Sequence, residues 1–292
     1  MTSPLHAEFY ADCALVATVE IVENVPLARD TLRVRFACPE MARRFVPGQF
    51  LMMRIDACDD PLIGRPLALY DTVPGDSGGP EAIDVVYLVK GKFTQRLARL
   101  GAGQRVVVWG PLGNGFPPDP PVDHWIFVAG GIGQTPFLAL AQEKLGKCRY
   151  GAPPRSVPVC RKVTLCYGAR SADLLAGVGD FERAGIDVRL ATDDGTRGHH
   201  GLVTDLLEEL LAQDEQSRCV ACCGPEPMME AVAGICASAG VLCQVSLETP
   251  MACGVGICFT CVARVRDADG DGWDYQRTCV EGPVFDAARI VW

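Results

Sequence analysis

The sequence predicts a multi-domain protein joining β and α/β architecture: an antiparallel β-barrel over residues 1–118, a parallel-sheet α/β domain over 119–245 and a small metal-organised unit over 246–292. Three observations predict it. Short alternating strands punctuated by Gly and Pro fill the first third, and the hydrophobic period changes after the proline-dense stretch Phe116–Val122. Four cysteines then crowd the last stretch, which has no long amphipathic helix.

In the first domain Leu15, Ala17, Val19 and Ile21 share one strand face, and Leu32, Val34 and Phe36 share another. Phe50–Ile55, Ile83–Val89 and Arg105–Trp109 are further β-rich runs. Turn signals at Pro47-Gly48, Asp60-Pro61, Pro74-Gly75 and Gly101–Gly103 separate them, with one short helix expected at Thr94–Leu100. After the prolines, His124–Ala129 is a continuous apolar strand. A glycine turn and a helix over Thr135–Leu145 follow, with Thr135 as N-cap and Pro136 in the first helical position. Strands at Val163–Tyr167, Asp187–Ala191, Arg218–Cys222 and Leu242–Leu247 alternate with helices at Val203–Ala212 and Pro227–Ser238. Such alternation implies a parallel sheet with crossovers.

The chain of 292 residues is long enough for two or three cored domains, and 49% hydrophobic with 22% charged residues describes globular material. A formal net charge of −9 disfavours nucleic acid or an anionic membrane as partner. No stretch reads as a membrane span, and Met1–Asp12 lacks the basic and apolar regions of a secretory leader. Fifteen cysteines is an odd count for disulfide pairing in a chain that needs no staples. Reduced thiols in a cytoplasmic protein are therefore expected, some binding metal and the rest packing as small apolar groups.

Cys253, Cys258 and Cys261 have C-x4-C-x2-C spacing and Cys279 follows, the plant-type pattern for a [2Fe–2S] cluster; zinc and four structural thiols are the alternatives. Gly254 and Gly256 permit positive φ and let backbone N–H groups approach sulfur. Arg65-Pro66-Leu67-Ala68-Leu69-Tyr70 offers an arginine fork for a pyrophosphate and an extended chain, ending in an aromatic, to lie along an isoalloxazine ring. Gly91-Lys92-Phe93-Thr94 opens a short helix whose N–H groups and Thr94 hydroxyl suit phosphate. Ala129–Pro136, with Gly130, Gly131 and Gly133, links a strand to a helix and suits a dinucleotide, although the GxGxxG pattern is incomplete. Cys223-Gly224-Pro225 ends another parallel strand and faces the same crevice. Asp193-Asp194-Gly195 and His199-His200 read as turns, and Arg170-Ser171 leaves NADP open beside NAD.

In this order, Arg65-Pro66, Gly110–Phe116, Gly130–Pro136, Asp194-Gly195, Cys223–Pro225, Ser246–Glu248, Met251–Cys261 and Cys279 with Gly282–Phe285 resemble the ferredoxin-reductase superfamily. Within it they resemble the electron-transfer subunits of NAD-linked dihydroorotate dehydrogenase. The resemblance implies a flavin-binding barrel with FAD against Arg65, Pro66, Leu67, Ala68, Tyr87, Leu88, Val89, Phe93 and Thr94. It also implies a nicotinamide-binding α/β domain, the cluster on the four cysteines, and Cys223 shaping the hydride path. The family usually has Ser, Arg and Gly where Ala68, Leu88 and Phe93 stand, which removes polar contacts or adds bulk beside a phosphate. The implied partner is an FMN-containing dihydroorotate-oxidising subunit in a heterotetramer, with electrons passing through cluster and FAD to NAD+ in pyrimidine biosynthesis. The alternatives are a flavin subunit of an NAD(P)H:ferredoxin oxidoreductase or sulfide dehydrogenase, and a redox-sensing cluster protein that has lost flavin.

Overall fold

The computed structural model describes residue 11 and residues 14–76, 78–213, 217–267 and 272–292. The leader reading of Met1–Asp12 therefore lies outside the described residues except at Ala11, as does Cys13. Seven strands form the first sheet: β1 (Leu15–Ala28), β2 (Thr31–Ala37), β3 (Phe50–Ile55), β4 (Arg65–Ala68), β5 (Asp71–Pro74), β6 (Pro80–Leu88) and β7 (Arg105–Leu112). Their order is β4-β3-β7-β1-β2-β6-β5, antiparallel throughout. Because β4 and β5 are consecutive in the chain yet stand at opposite ends of that order, Leu69 and Tyr70 close the barrel. The Leu69 amide donates to the Gln49 carbonyl and the Tyr70 amide to that of Asp84, both at 3.0 Å. The β1 alternation holds, with Val19 and Ile21 buried between exposed neighbours. Two short helices attach to this barrel. Helix α1 (Pro39–Arg44), which sequence reading missed, buries Met41 and Ala42; α2 (Lys92–Leu97) starts two residues before its expected position.

The second sheet comprises β8 (His124–Gly130), β9 (Lys162–Ala169), β10 (Asp187–Thr192), β11 (His199–His200), β12 (Arg218–Cys223), β13 (Leu242–Ser246) and a final strand, β16 (Val284–Asp286). Its order is β11-β10-β9-β8-β12-β13-β16. All pairs are parallel except β13 with β16. Helices α3 (Phe137–Lys144), α4 (Val178–Arg183), α5 (Val203–Gln213) and α6 (Glu226–Ala239) connect the strands. The chain runs outward from β8 to β11 and then returns to the other side of β8 with β12. The carboxyl ends of β8 and β12 therefore flank the switch point, where open α/β sheets bind ligands. His199-His200 is a short exposed strand, not a turn, and His199 pairs with Asp205 at 2.8 Å.

The C-terminal unit contains the hairpin β14 (Val262–Arg266) and β15 (Trp273–Arg277), while β16 joins the α/β sheet. Its core lies against the barrel: Cys261, Cys279 and Val280 pack with Phe50, Met52 and Leu112. This explains why Phe50–Met53 is buried without alternation. Leu51 and Met53 point into the barrel core, and Phe50 and Met52 lie beneath the C-terminal unit. The two larger domains meet through polar contacts: Tyr70 donates to Asp180 (2.8 Å), and Gln142 and Tyr150 donate to Asp71 (2.7 and 2.8 Å).

Candidate functional site

The cysteines meet in pairs. Cys253 approaches Cys258, and Cys261 approaches Cys279. A dinuclear cluster distributes four thiolates over two irons, whereas zinc gathers four on one ion, so this donor set fits [2Fe–2S]. The Thr260 hydroxyl and amide pull the Cys258 thiol down to about 6. The hydrogen bond from Cys279 does the same for Cys261, at about 6, while Cys279 itself is pushed up by Cys261 and by burial. Thiolates available near neutrality ease metal loading. Gly254 and Gly256 have φ of 72° and 82°, and a Cβ on them would stand 2.5 Å from Met52 and 2.7 Å from Val280. Both the left-handed backbone and the close packing therefore select glycine. Thr278, fully buried, donates from its amide (2.7 Å) and hydroxyl (3.0 Å) to the Cys261 carbonyl, tying the second pair together.

Barrel residues hold this loop. Trp109 Nε1 donates to the Cys253 carbonyl at 3.0 Å. Asn114 Nδ2 donates to the carbonyls of Glu281 (3.0 Å) and Val284 (2.7 Å), and its Oδ1 accepts from the Val284 amide (3.2 Å). Gly113 lies so close that a Cβ would stand 2.6 Å from Pro283. The motif Gly110–Phe116 thus clamps the C-terminal Gly282–Phe285, a role neither motif reveals alone.

Strand β4 pairs with β3 in the register Phe50 to Ala68 and Met52 to Pro66. Directly opposed residues share a sheet face. Pro66 and Ala68 therefore lie on the face that Phe50 and Met52 turn toward the cysteines, one strand spacing of about 4.8 Å away. Arg65 is exposed, donating to the carbonyls of Ile63 (2.9 Å) and Gly64 (3.0 Å), and Leu67 packs toward the barrel core. Leu88 ends β6, and the amide of the following Val89 donates to the Asp30 carbonyl at 2.7 Å. Other expected contacts point elsewhere. Tyr70 is buried against Asp180 and Phe181, so it does not line a ring beside β4. Tyr87 turns into the barrel and donates to Asn24 Oδ1 at 3.0 Å, so its side chain does not line the barrel surface. Phe93 is buried in the barrel core and adds no bulk beside a phosphate. The Thr94 hydroxyl accepts from the amides of Lys90 and Gly91, closing the first turn of α2.

At the switch point, residues Gly131–Gln134 form a 3-10 turn and α3 begins at Phe137, so Pro136 is the N-cap and Thr135 does not cap. A Cβ on Gly133 would stand 2.2 Å from the Cys223 carbonyl oxygen and one on Gly130 2.7 Å from Met228. These two glycines let the loops after β8 and β12 interlock, while Gly131 faces open space. Cys223 is buried at the end of β12, and burial raises its thiol pKa well above the ordinary value.

Comparison with family models matches residues 18–116 to an oxidoreductase FAD-binding domain and residues 127–234 to an oxidoreductase NAD-binding domain. Residues 248–291 match the iron-sulfur cluster binding domain of dihydroorotate dehydrogenase B. The chain is 34% identical over 91% of its length to the dihydroorotate dehydrogenase B (NAD(+)) electron transfer subunit of Desulforamulus reducens, covering 94% of that protein. The chain belongs to this family. The Bacillus caldolyticus subunit is 36% identical over 84% of the chain and 86% of its own length. Among solved structures, a chain of an NADH-dependent reduced ferredoxin–NADP oxidoreductase superposes with TM-score 0.76 at 27% identity, covering 94% of this chain and 90% of that one.

Membership in the electron transfer subunit family gives the three units their cofactors: FAD at the barrel, NAD at the α/β domain and an iron-sulfur cluster at the C-terminus. Sequence reasoning missed Trp109, Asn114 and Thr278 as supports of the cluster loop. Only the position of Thr278 directly before Cys279 gave a signal. No helix among the described residues is long and apolar enough to cross a membrane.

Proposed function

We propose that this chain is the subunit that carries electrons from a dihydroorotate-oxidising, FMN-containing partner to NAD+ in cytoplasmic pyrimidine biosynthesis, the two kinds of subunit forming a heterotetramer. The register of β3 with β4 carries the reading, because it sets Pro66 and Ala68 on the same face as the cysteine loop. Bound flavin supplies the exchange between single electrons and a hydride pair. Arg65 offers a cation for the pyrophosphate, and the backbone at Leu88-Val89 and the start of α2 border the same side of the barrel. Gly131 leaves room for the dinucleotide in the crevice, with Cys223 beside it. Cys253, Cys258, Cys261 and Cys279 hold the cluster. Ile257 and Phe259, 72% and 61% exposed on either side of Cys258, offer the apolar surface on which a partner docks.

The deciding experiment is reconstitution with the catalytic subunit encoded by the same organism. NAD+-dependent oxidation of dihydroorotate that requires both proteins is expected; its absence with flavin and cluster intact overturns the reading. The likeness to the NADH-dependent reduced ferredoxin–NADP oxidoreductase supports a second reading, a flavin subunit serving ferredoxin. Exchange of electrons with reduced ferredoxin in place of dihydroorotate distinguishes it. The sensor reading rested on the altered flavin motif, and the burial of Phe93 removes one of its three motives.

A further inference from the structure

The three units meet around a cavity of about 410 Å³, and none of the residues assigned above to flavin, dinucleotide or cluster lines it. Cavities of ~300–1,000 Å³ are the usual size for small organic ligands. One wall comes from the chain leaving the barrel, Phe116 with Pro117 and Pro118, and another from the sheet, Leu242 and Gln244 of β13 with Asp286 of β16. Gln244 and Asp286 are register partners, so their side chains share one sheet face, while Cys243 and Val245 turn to the core on the other. Leu242 opens β13, whereas Cys223 and Ser246 stand at the carboxyl ends of parallel strands. The cavity therefore lies toward the end of the sheet away from the dinucleotide crevice.

Its walls are held in place. Arg155 donates to the Phe116 carbonyl at 2.6 Å, and the Phe116 amide donates to the carbonyl of Pro47 at 2.8 Å. On the sheet side Asn114 grips both the amide and the carbonyl of Val284. A ligand entering such a site has little protein to order. Polar character is concentrated on the sheet. Gln244 Oε1 is buried without a hydrogen-bond partner, and rotation about the last bond of this side chain turns its amide toward the cavity. An acceptor left unpaired in this way favours a ligand that donates to it. Asp286 beside it is a second acceptor, already taking the Ala288 amide on Oδ1 at 3.0 Å. Arg155 offers no spare charge, because Glu143 holds its Nε at 2.7 Å and its Nη2 at 2.5 Å. The lining thus suits an uncharged, flat group with N–H donors on one edge and disfavours a phosphate.

We propose that this cavity binds an amino-substituted nucleobase or its nucleoside, of the adenine or cytosine kind. The exocyclic amino group donates to Gln244 Oε1 and the adjacent ring nitrogen accepts from Nε2, the two-point pairing that a glutamine carboxamide makes with adenine. The ring lies against Phe116, Pro118 and Leu242. Because the barrel exit, β13 and β16 all contribute, release of the C-terminal unit breaks the site, and occupancy braces that unit. Ligand at ten times its dissociation constant suppresses this opening about tenfold.

Isothermal titration of adenosine and of cytidine into the full chain, loaded with FAD and cluster and saturated with NAD+, tests the proposal. One nucleoside per chain is expected to bind, and inosine and uridine, which carry a keto group in place of the amino group, should bind about tenfold more weakly or worse. Gln244→Leu removes the acceptor, and Leu242→Trp fills the cavity from a position 57% exposed. Each should weaken binding about tenfold or more with flavin and cluster spectra unchanged. Bound nucleoside at ten times its dissociation constant should also slow cluster bleaching by a chelator about tenfold. Absence of binding by both nucleosides up to about 5 mM overturns the proposal. Equal affinity for the keto nucleosides, or affinity kept in either variant, overturns it too. Binding seen only without NAD+ belongs to the dinucleotide crevice and has the same consequence.

Discussion

Asn114→Ala tests the clamp between the barrel and the cysteine unit. The substitution removes three side-chain hydrogen bonds, two donated to the carbonyls of Glu281 and Val284 and one accepted from the Val284 amide. At roughly 1 kcal/mol net for each, the loss is about 3 kcal/mol. The apolar contact that remains is larger. Phe50, Met52 and Leu112 stay buried against Cys261, Cys279 and Val280, and three such side chains contribute on the order of 5–9 kcal/mol together. The unit should therefore stay docked but open more often, by a factor of about 100 at about 1.4 kcal/mol per tenfold. The assay is cluster bleaching under an iron chelator while flavin absorbance is followed in the same sample. The expected result is bleaching faster by one to two orders of magnitude, unchanged flavin and a cluster that still assembles. Bleaching at the wild-type rate would refute the clamp. A variant that never assembles a cluster would refute the claim that apolar burial outweighs the lost hydrogen bonds.

Cys258→Ser should abolish the cluster absorbance near ~400–600 nm and the one-electron output while NADH still reduces the flavin, read by stopped-flow absorbance. Gly133→Ala brings a Cβ to 2.2 Å from the Cys223 carbonyl and should force the two crevice loops apart. Overpacking of this kind costs about 1–3 kcal/mol, and a rise of about tenfold in the KM for NADH with FAD retained is the expected signature. An unchanged KM in a folded Gly133→Ala protein would contradict the interlock. Lys144 is fully buried, donates to the carbonyls of Pro117 and Pro118, and has its pKa lowered by burial to about 8. Since the unfolded chain holds this proton up to about 10.4, it binds more protons than the fold between these values, and stability rises with pH through that window. Relative to Lys144→Met, the wild type should gain roughly 3 kcal/mol on going from below pH 8 to above pH 10, measured by urea denaturation at several pH values.

Period and punctuation in the sequence foretold most strands because the physics there is local. Alternation in β1 and the apolar run in β8 report directly which faces are covered. Helix α1 escaped because six residues with Met41 and Ala42 inward carry too little period to notice. The cysteine spacing is local in the same way: Cys253, Cys258 and Cys261 lie close in the chain, and the loop brings Cys253 to Cys258 and Cys261 to Cys279. The flavin side was less so. Tyr70, Tyr87 and Phe93 sit in motifs that invite a cofactor contact, yet each side chain points into protein. Which face a residue presents depends on strand register and on the neighbouring domain, and both are long-range facts. Asn114 and Glu281 lie 167 residues apart in the chain, so neither motif could announce the other.

The placement of the cysteine unit on β3 also explains how one barrel can serve two kinds of electron traffic. Phe50 and Met52 are covered by the cysteine unit, and their register partners Ala68 and Pro66 belong to the proposed flavin strand. On the proposed function single electrons would cross only side chains on one sheet face, and the nicotinamide would stand in another direction, at the crevice at the ends of β8 and β12. Strand β16 links that sheet to the same C-terminal unit by pairing with β13. Such an arrangement demands that the C-terminal unit be fixed to both larger domains at once. Its anchors are divided accordingly: Trp109 and Asn114 hold it to the barrel, and Phe285, opposite Val245, holds it to the sheet. Ala68 lies where these paths approach each other, on the cysteine-facing side of β4. A side chain on that face can change without disturbing the barrel core, which is filled from the opposite face by Leu51 and Met53.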